Sequence, residues 1–179
     1  DDQELEGIIK GDIFEKQLVN NFIEKDFYHW VSKGGNFDAL KPFFKLITFK
    51  LSDYDFSQVK DDILKGVYQE LIDIETRHSL GEYSTPDWLC ERRVQEFPLA
   101  KGSKILDPAC GSGSFLMAAV HRILDRFPQI TAQELATQVV GIDIHPLSVQ
   151  IAKTTILLAF GEKIGQEKKP IYLRVYLAN

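Results

Sequence analysis

The ten residues DPACGSGSFL, 107–116, set three small residues, Ala109, Gly111 and Gly113, behind an acid and between two apolar stretches. Glycine loses more conformational freedom on folding than any other residue, so a cluster of it marks backbone that turns sharply or approaches something closely. Before the loop, KILD (104–107) reads as a short buried strand ending in Asp107. After it, SFLMAAVHRILDRF (114–127) places Phe115, Leu116, Ala119, Val120, Ile123 and Phe127 at helical spacing, and Pro128 stops the run. Strand, glycine loop and helix form the opening unit of a nucleotide-binding α/β fold, in which backbone N–H groups and the helix start face a ligand. This unit alone leaves the kind of cofactor open.

Outward from the loop the pattern continues as alternating helices and strands. Upstream, GEYSTPDWLCERRVQEF (81–97) predicts a helix with Thr85 as N-cap and Pro86 at its first position, running to about Phe97. Downstream, TAQE (131–134) is a capping box for a short helix ending near Thr137, and QVVGID (138–143) is a second strand. HPLSVQIAKTTILLAFG (145–161) is a helix entered at Pro146 and closed by Gly161, and IYLRVYLAN (171–179) is a third strand. Strands alternating with helices imply a parallel sheet with right-handed crossovers.

Residues 1–80 read as helical throughout. DIFEKQLVNNFIEKDFYHWV (12–31) carries Phe14, Leu18, Phe22 and Ile23 on one stripe, and FDALKPFFKLITFKL (37–51) is a helix if Pro42 sits in its first turn. Gly34 and Gly35 mark the loop between them. SQVKDDILKGVYQELIDI (57–74) is a third amphipathic helix through Val59, Ile63, Val67 and Leu71. Trp30 and Trp88 are expected in the core.

Composition narrows the class. The chain has 179 residues, 44% of them hydrophobic, enough for one good-sized core or two small domains in contact. No apolar run reaches membrane-spanning length and no secretory signal is visible, so a soluble, cytoplasmic protein without a membrane partner is expected. The two cysteines form no C-x-x-C pair and the four histidines show no ligand spacing, which predicts reduced thiols and no metal site. The first residue is Asp1 rather than methionine and Asn179 ends an apolar run, so a piece of a longer protein is expected. Residues 1–80 hold 16 acids against 10 bases and residues 81–179 hold 10 against 11, within a net charge of −5. Neither half is the basic surface that grips nucleic-acid phosphates unaided.

Spacing then discriminates between cofactors. A dinucleotide fold uses G-x-G-x-x-G, but Leu116 stands where the third glycine belongs; a phosphate loop uses Gly-Lys-Ser/Thr, and no lysine lies near. Asp107 would repel a pyrophosphate and attract an ammonium or sulfonium group, and S-adenosylmethionine carries both. Three stretches in order, LGEYSTP (80–86), ILDPACGSGSFL (105–116) and GIDIHPLSVQIAK (141–153), resemble the amino-methyltransferases of DNA, particularly the adenine methyltransferases of restriction-modification systems. The resemblance spans residues from about 60 to 179. It implies a Rossmann-like S-adenosylmethionine methyltransferase fold, a partial parallel sheet with flanking helices over residues 81–179, preceded by an all-helical region over residues 1–80.

The resemblance also implies roles. Asp107 is similar to the acid near the methionine amino group, and Ala109, Cys110, Gly111 and Gly113 to the loop beneath the cofactor. Asp143 is similar to the carboxylate that accepts the ribose hydroxyls, with Ile144 packing on the adenine face. Thr85, at a helix start, resembles the binder of the methionine carboxylate, with Tyr83 and Pro86 lining that pocket. Asn179 stands where the family places an acid or amide facing the adenine. Blander readings stand beside these: Asp107 capping its own loop, Asp143 capping the next helix, His145 merely starting that helix, Cys110 contributing only a small side chain. The family's Asp/Asn/Ser-Pro-Pro-aromatic segment, which holds the target base, is absent, since no Pro-Pro occurs in the sequence. No catalytic residue is therefore assigned, and DNA contacts are expected from regions outside this sequence. An RNA or protein amide methyltransferase and a non-enzymatic S-adenosylmethionine-binding module share these features.

Overall fold

The computed structural model describes residues 2–24, 30–31, 33–55, 66, 70, 75 and 85–178. Apart from residues 66 and 70, the expected helix over residues 57–74, with Val59, Ile63, Val67 and Leu71, lies outside the described residues, as do Tyr83 and Asn179. The order is α1 (Asp2–Lys10), α2 (Asp12–Lys16), β1 (Val19–Asn20), α3 (Asn36–Leu51), α4 (Asp87–Glu96), β2 (Ile105–Asp107), α5 (Ser114–Arg126), α6 (Ala132–Gln138), β3 (Val139–Asp143) and α7 (Pro146–Phe160). A 3-10 turn (Gly161–Gln166), β4 (Ile171–Tyr172) and β5 (Val175–Leu177) follow.

The α/β half forms as its periodicities dictate. β2, β3 and β5 make a parallel sheet in the order β2-β3-β5, with Asp107 opposite Gly141 and Asp143 opposite Leu177. α5 and α7 both pack against β3 and against each other, burying Leu116, Val120, Ile123, Val149, Ala152 and Ile156 over the sheet. Each of the leucine, valine and isoleucine side chains contributes about 1.5–3 kcal/mol on removal from water. α6 opens on the complete capping box between Thr131 and Glu134, and Gly161 ends α7 with φ 55°.

Six expectations over the described residues are corrected. The helix over residues 12–31 stops at Lys16, because Leu18 and Asn21 adopt φ 63° and 58°, where no right-handed helix continues. Val19 and Asn20 instead form a strand parallel to β4, so the N-terminal region is not all-helical. Phe14 and Phe22 still meet, ring centroids 4.2 Å apart, across a turn rather than along one helix. The single third strand over residues 171–179 is two strands: Ile171 and Leu173 donate to Leu18 and Asn20, while Arg174 and Ala178 bond to Gly141 and Asp143 on β3. One extended segment thus carries β1 along one edge and β3 along the other. α3 begins at Asn36, which leaves Pro42 inside it, and α4 begins one residue later than expected, with Pro86 as N-cap in place of Thr85. Trp30 and Trp88 are 48% and 65% exposed and belong to no core.

Gly141, in mid-strand, shows how tightly α5 sits on the sheet. A Cβ there would lie 2.6 Å from Leu116 Cδ1, 3.1 Å from Cys110 Sγ and 3.3 Å from Val175 Cγ1. Gly141→Ala should destabilise the fold by about 1–3 kcal/mol through overpacking, read as a lowered urea midpoint. An unchanged midpoint would show that this contact relaxes freely.

Candidate cofactor site

The site is built at the carboxyl ends of the parallel strands, where ligands of open α/β sheets bind. Asp107 closes β2, Asp143 closes β3 and Leu177 closes β5. Between β2 and α5 the loop folds back onto β3: Cys110 N–H donates to Ile142 O at 2.9 Å, and Gly111 N–H donates to Asp143 Oδ2 at 2.9 Å. On the other side, His145 N–H donates to Asp143 Oδ1 at 2.9 Å, and Ala178 N–H donates to Asp143 O at 3.0 Å. One residue therefore ties together the glycine loop, the start of α7 and the end of β5. His145 is the N-cap of α7 but makes no side-chain cap, and Asp143 bonds the N–H of that N-cap residue rather than the first helical N–H groups. The Oδ1 bond anchors the start of α7, and the Oδ2 bond reaches beyond it to the glycine loop.

The two glycines of the loop have different causes. Gly113 is buried at φ 90°, and a Cβ would lie 3.1 Å from Ala152 Cα, so its absence lets α5 approach α7. Gly111 has φ 52° and nothing within 4 Å of the Cβ position, so it turns the backbone beside open space. Beyond Asp143, its chain neighbour Ile144 is an apolar side chain 70% exposed. Thr85 is half-buried next to the N-cap of α4, and Pro86 is exposed.

Electrostatics separates the roles further. Burial pushes the Asp107 carboxyl above its ordinary range, and the charge of Asp143 adds to this, while a hydrogen bond from Ala109 N–H (3.2 Å) opposes it. Burial first, then the charges of Asp143 and Asp107, pushes the Cys110 thiol up to about 12. That thiol stays protonated at neutral pH and is no nucleophile. A cation is the partner that such a pair of acids favours. Among the described residues, no group of three or more His, Cys, Asp or Glu could hold a metal ion, and no helix is long and apolar enough to cross a membrane.

Sequence reasoning missed one buried polar cluster, in which Lys153 of α7 bonds to Asn21 and Glu24. The available signal was a lone lysine, the single charge in an otherwise uncharged helix.

The profile of the N-6 DNA methylase family matches residues 59–168, and the chain belongs to that family. It is 30% identical over 113 residues to the methylase subunit of the type I restriction enzyme EcoEI from Escherichia coli, covering 61% of this chain and 23% of that protein. It is 28% identical over 142 residues to the type II restriction enzyme and methyltransferase RM.BcgI from Heyndrickxia coagulans, covering 76% of this chain and 22% of that protein. A solved chain assigned as the modification subunit of a type I restriction enzyme from Vibrio vulnificus YJ016 superposes with a TM-score of 0.47 at 23% identity, over 66% of this chain and 23% of that one. The chain spans less than a quarter of the length of each of these proteins.

The two glycines can be separated experimentally. Gly113→Ala should lower the urea midpoint strongly, because left-handed strain of about 1–2 kcal/mol adds to the clash with α7. Gly111→Ala should lose only the strain. Equal losses would mean that the space beside Gly111 is not open.

Proposed function

We propose that this chain is the S-adenosylmethionine-binding part of a DNA adenine methyltransferase of the restriction-modification type. The observation that carries the reading is the double use of the Asp143 carboxylate. Each carboxylate oxygen offers two lone pairs, and Gly111 and His145 take one from each. Two acceptor positions remain, which suits a pair of neighbouring hydroxyls such as those of a ribose. The residues fit the remainder of the cofactor as well. Asp107 would receive the methionine ammonium, Ala109, Cys110 and Gly111 would form the floor, and Gly113 would hold that floor against α7. Ile144 would cover the adenine, while Thr85, Tyr83 and Pro86 would border the carboxylate and Asn179 the adenine edge.

When bound, S-adenosylmethionine supplies an activated methyl group on a sulfonium centre. The chain's own contribution is placement: a prepared pair of carboxylates compensates positive charge in the cofactor, and the tied loop fixes where the cofactor sits. Residues that hold the target adenine and its amino group are proposed to lie in polypeptide outside this sequence, which also supplies the grip on DNA. The net charge of −5 fits that division.

Calorimetric titration tests the reading. The chain should bind S-adenosylmethionine or S-adenosylhomocysteine, and Asp143→Ala should weaken binding by about 1–3 kcal/mol, more than Asp143→Asn, which keeps one acceptor. Wild-type affinity in the alanine variant would remove Asp143 from the site.

Affinity should also depend on pH with a defined sign. The ammonium needs Asp107 ionised, and burial makes this group take up a proton at higher pH than an ordinary carboxylate. Binding should therefore weaken on acidification through that raised value, and Asp107→Asn should bind weakly with that component of the pH dependence gone. A wild-type profile in Asp107→Asn would contradict the assignment.

The chain alone should transfer no methyl group to duplex DNA. Tritium from labelled cofactor appearing in DNA would overturn the division of labour.

A further inference from the structure

Lys153 is one of the most deeply buried side chains described, with 1% of its surface exposed, and it sits inside the helix that follows Asp143. A buried ammonium is tolerated only when paired and hydrogen-bonded. Both partners come from a segment more than a hundred residues away: Glu24 Oε2 at 2.9 Å and Asn21 Oδ1 at 3.3 Å. The same segment is bonded at two further points. Glu24 N–H donates to Gln150 Oε1 at 2.8 Å, one helical turn before Lys153. Asn21 Nδ2 donates to the carbonyls of Leu173 (2.6 Å) and Val175 (3.3 Å), continuing along the edge that β1 leaves after Asn20.

These contacts reach the cofactor crevice in two short steps. Val175 is the register partner of Gly141, two residues before Asp143, and Ala178 N–H bonds to Asp143 O. α7, which carries Gln150 and Lys153, begins beside the His145 N–H that Asp143 holds. A buried ion pair adds little net stability compared with an apolar pair, but it strongly disfavours any docking that separates its charges. Its effect falls on geometry.

We propose that Asn21, Glu24 and Lys153 are positioning residues for S-adenosylmethionine, a buried latch through which residues 19–24 hold β5 and α7 in register with Asp143. This rests on the reading of the crevice as the cofactor site. The latch touches no cofactor atom and acts through β5 and α7.

The test compares the wild-type chain with Asn21→Gly, Glu24→Gln and the charge-neutral double variant Glu24→Gln with Lys153→Met. Asn21→Gly removes the amide while keeping a backbone of φ 58° without strain. Two readouts are taken on variants shown folded by circular dichroism at the assay temperature: S-adenosylmethionine affinity by calorimetry, and amide hydrogen exchange without cofactor. Asn21→Gly and Glu24→Gln should each weaken binding at least about tenfold and speed exchange at Gly111 and over residues 175–178, while the double variant recovers most of both. Should Glu24→Gln not fold, Asn21→Gly and the double variant still decide. Unchanged affinity, with faster exchange confined to residues 19–24 and the Lys153 turn, would overturn the latch. Absence of S-adenosylmethionine binding in the wild type would overturn the cofactor reading instead, and the exchange measurement alone would then decide the latch.

Discussion

Asp143 ends β3 and accepts two backbone hydrogen bonds at 2.9 Å, from Gly111 in the loop after β2 and from His145 at the start of α7. The two connections that leave the sheet at its carboxyl edge are thus held by one side chain. Its main-chain oxygen takes a third bond, from Ala178 at the end of β5. The position of the loop relative to the sheet, the opening of α7 and the path of the last strand share this single point. In the proposed function, the remaining acceptor positions of the carboxylate take the ribose hydroxyls.

Packing supports that constraint from below. Two glycines permit it: Gly113 lets α5 approach the backbone of α7 at Ala152, and Gly141 lets Leu116 and Cys110 sit on the strand. Neither requires a ligand to explain it, whereas Gly111, turned toward open space, does not serve packing. A glycine-rich loop of this kind therefore combines two demands that look identical in sequence. Burial has a chemical consequence too, since the apolar layer that fixes the loop also raises Asp107 and Cys110. One becomes a sensitive acid and the other an inert thiol.

The sheet end of the site was legible because local signals agree there. KILD, the capping box at Thr131 and Glu134, Pro146 and Gly161 each specify a boundary through local backbone chemistry, and the elements begin and end within a residue or so of them. Asp107 and Asp143 were readable as strand-end acids for the same reason. The errors fall where long-range pairing outweighs periodicity. Phe14, Leu18 and Phe22 are spaced for a helix, yet Val19 pairs with Ile171 in a parallel strand, and left-handed turns at Leu18 and Asn21 flank it. The division of residues 171–177 between two partners has no local signature, because both halves are apolar and β-prone. The link between Asn21 and Lys153 was invisible for the same reason: it joins positions 132 residues apart. Trp30 and Trp88 went wrong through size alone, since a large aromatic is a core residue only where a layer exists to cover it.

The central claim is that Asp143 and the loop it holds form the cofactor's binding floor, and the Gly111 amide reports on it directly. In a ¹H–¹⁵N correlation spectrum of the chain, titration with S-adenosylhomocysteine should shift the Gly111, Ile144 and Ala178 resonances together along one saturable curve, and the Gly111 and Ile144 shifts should disappear in Asp143→Ala. Saturable shifts confined to residues away from the ends of β2, β3 and β5, with Gly111 and Ile144 unmoved, would contradict the account.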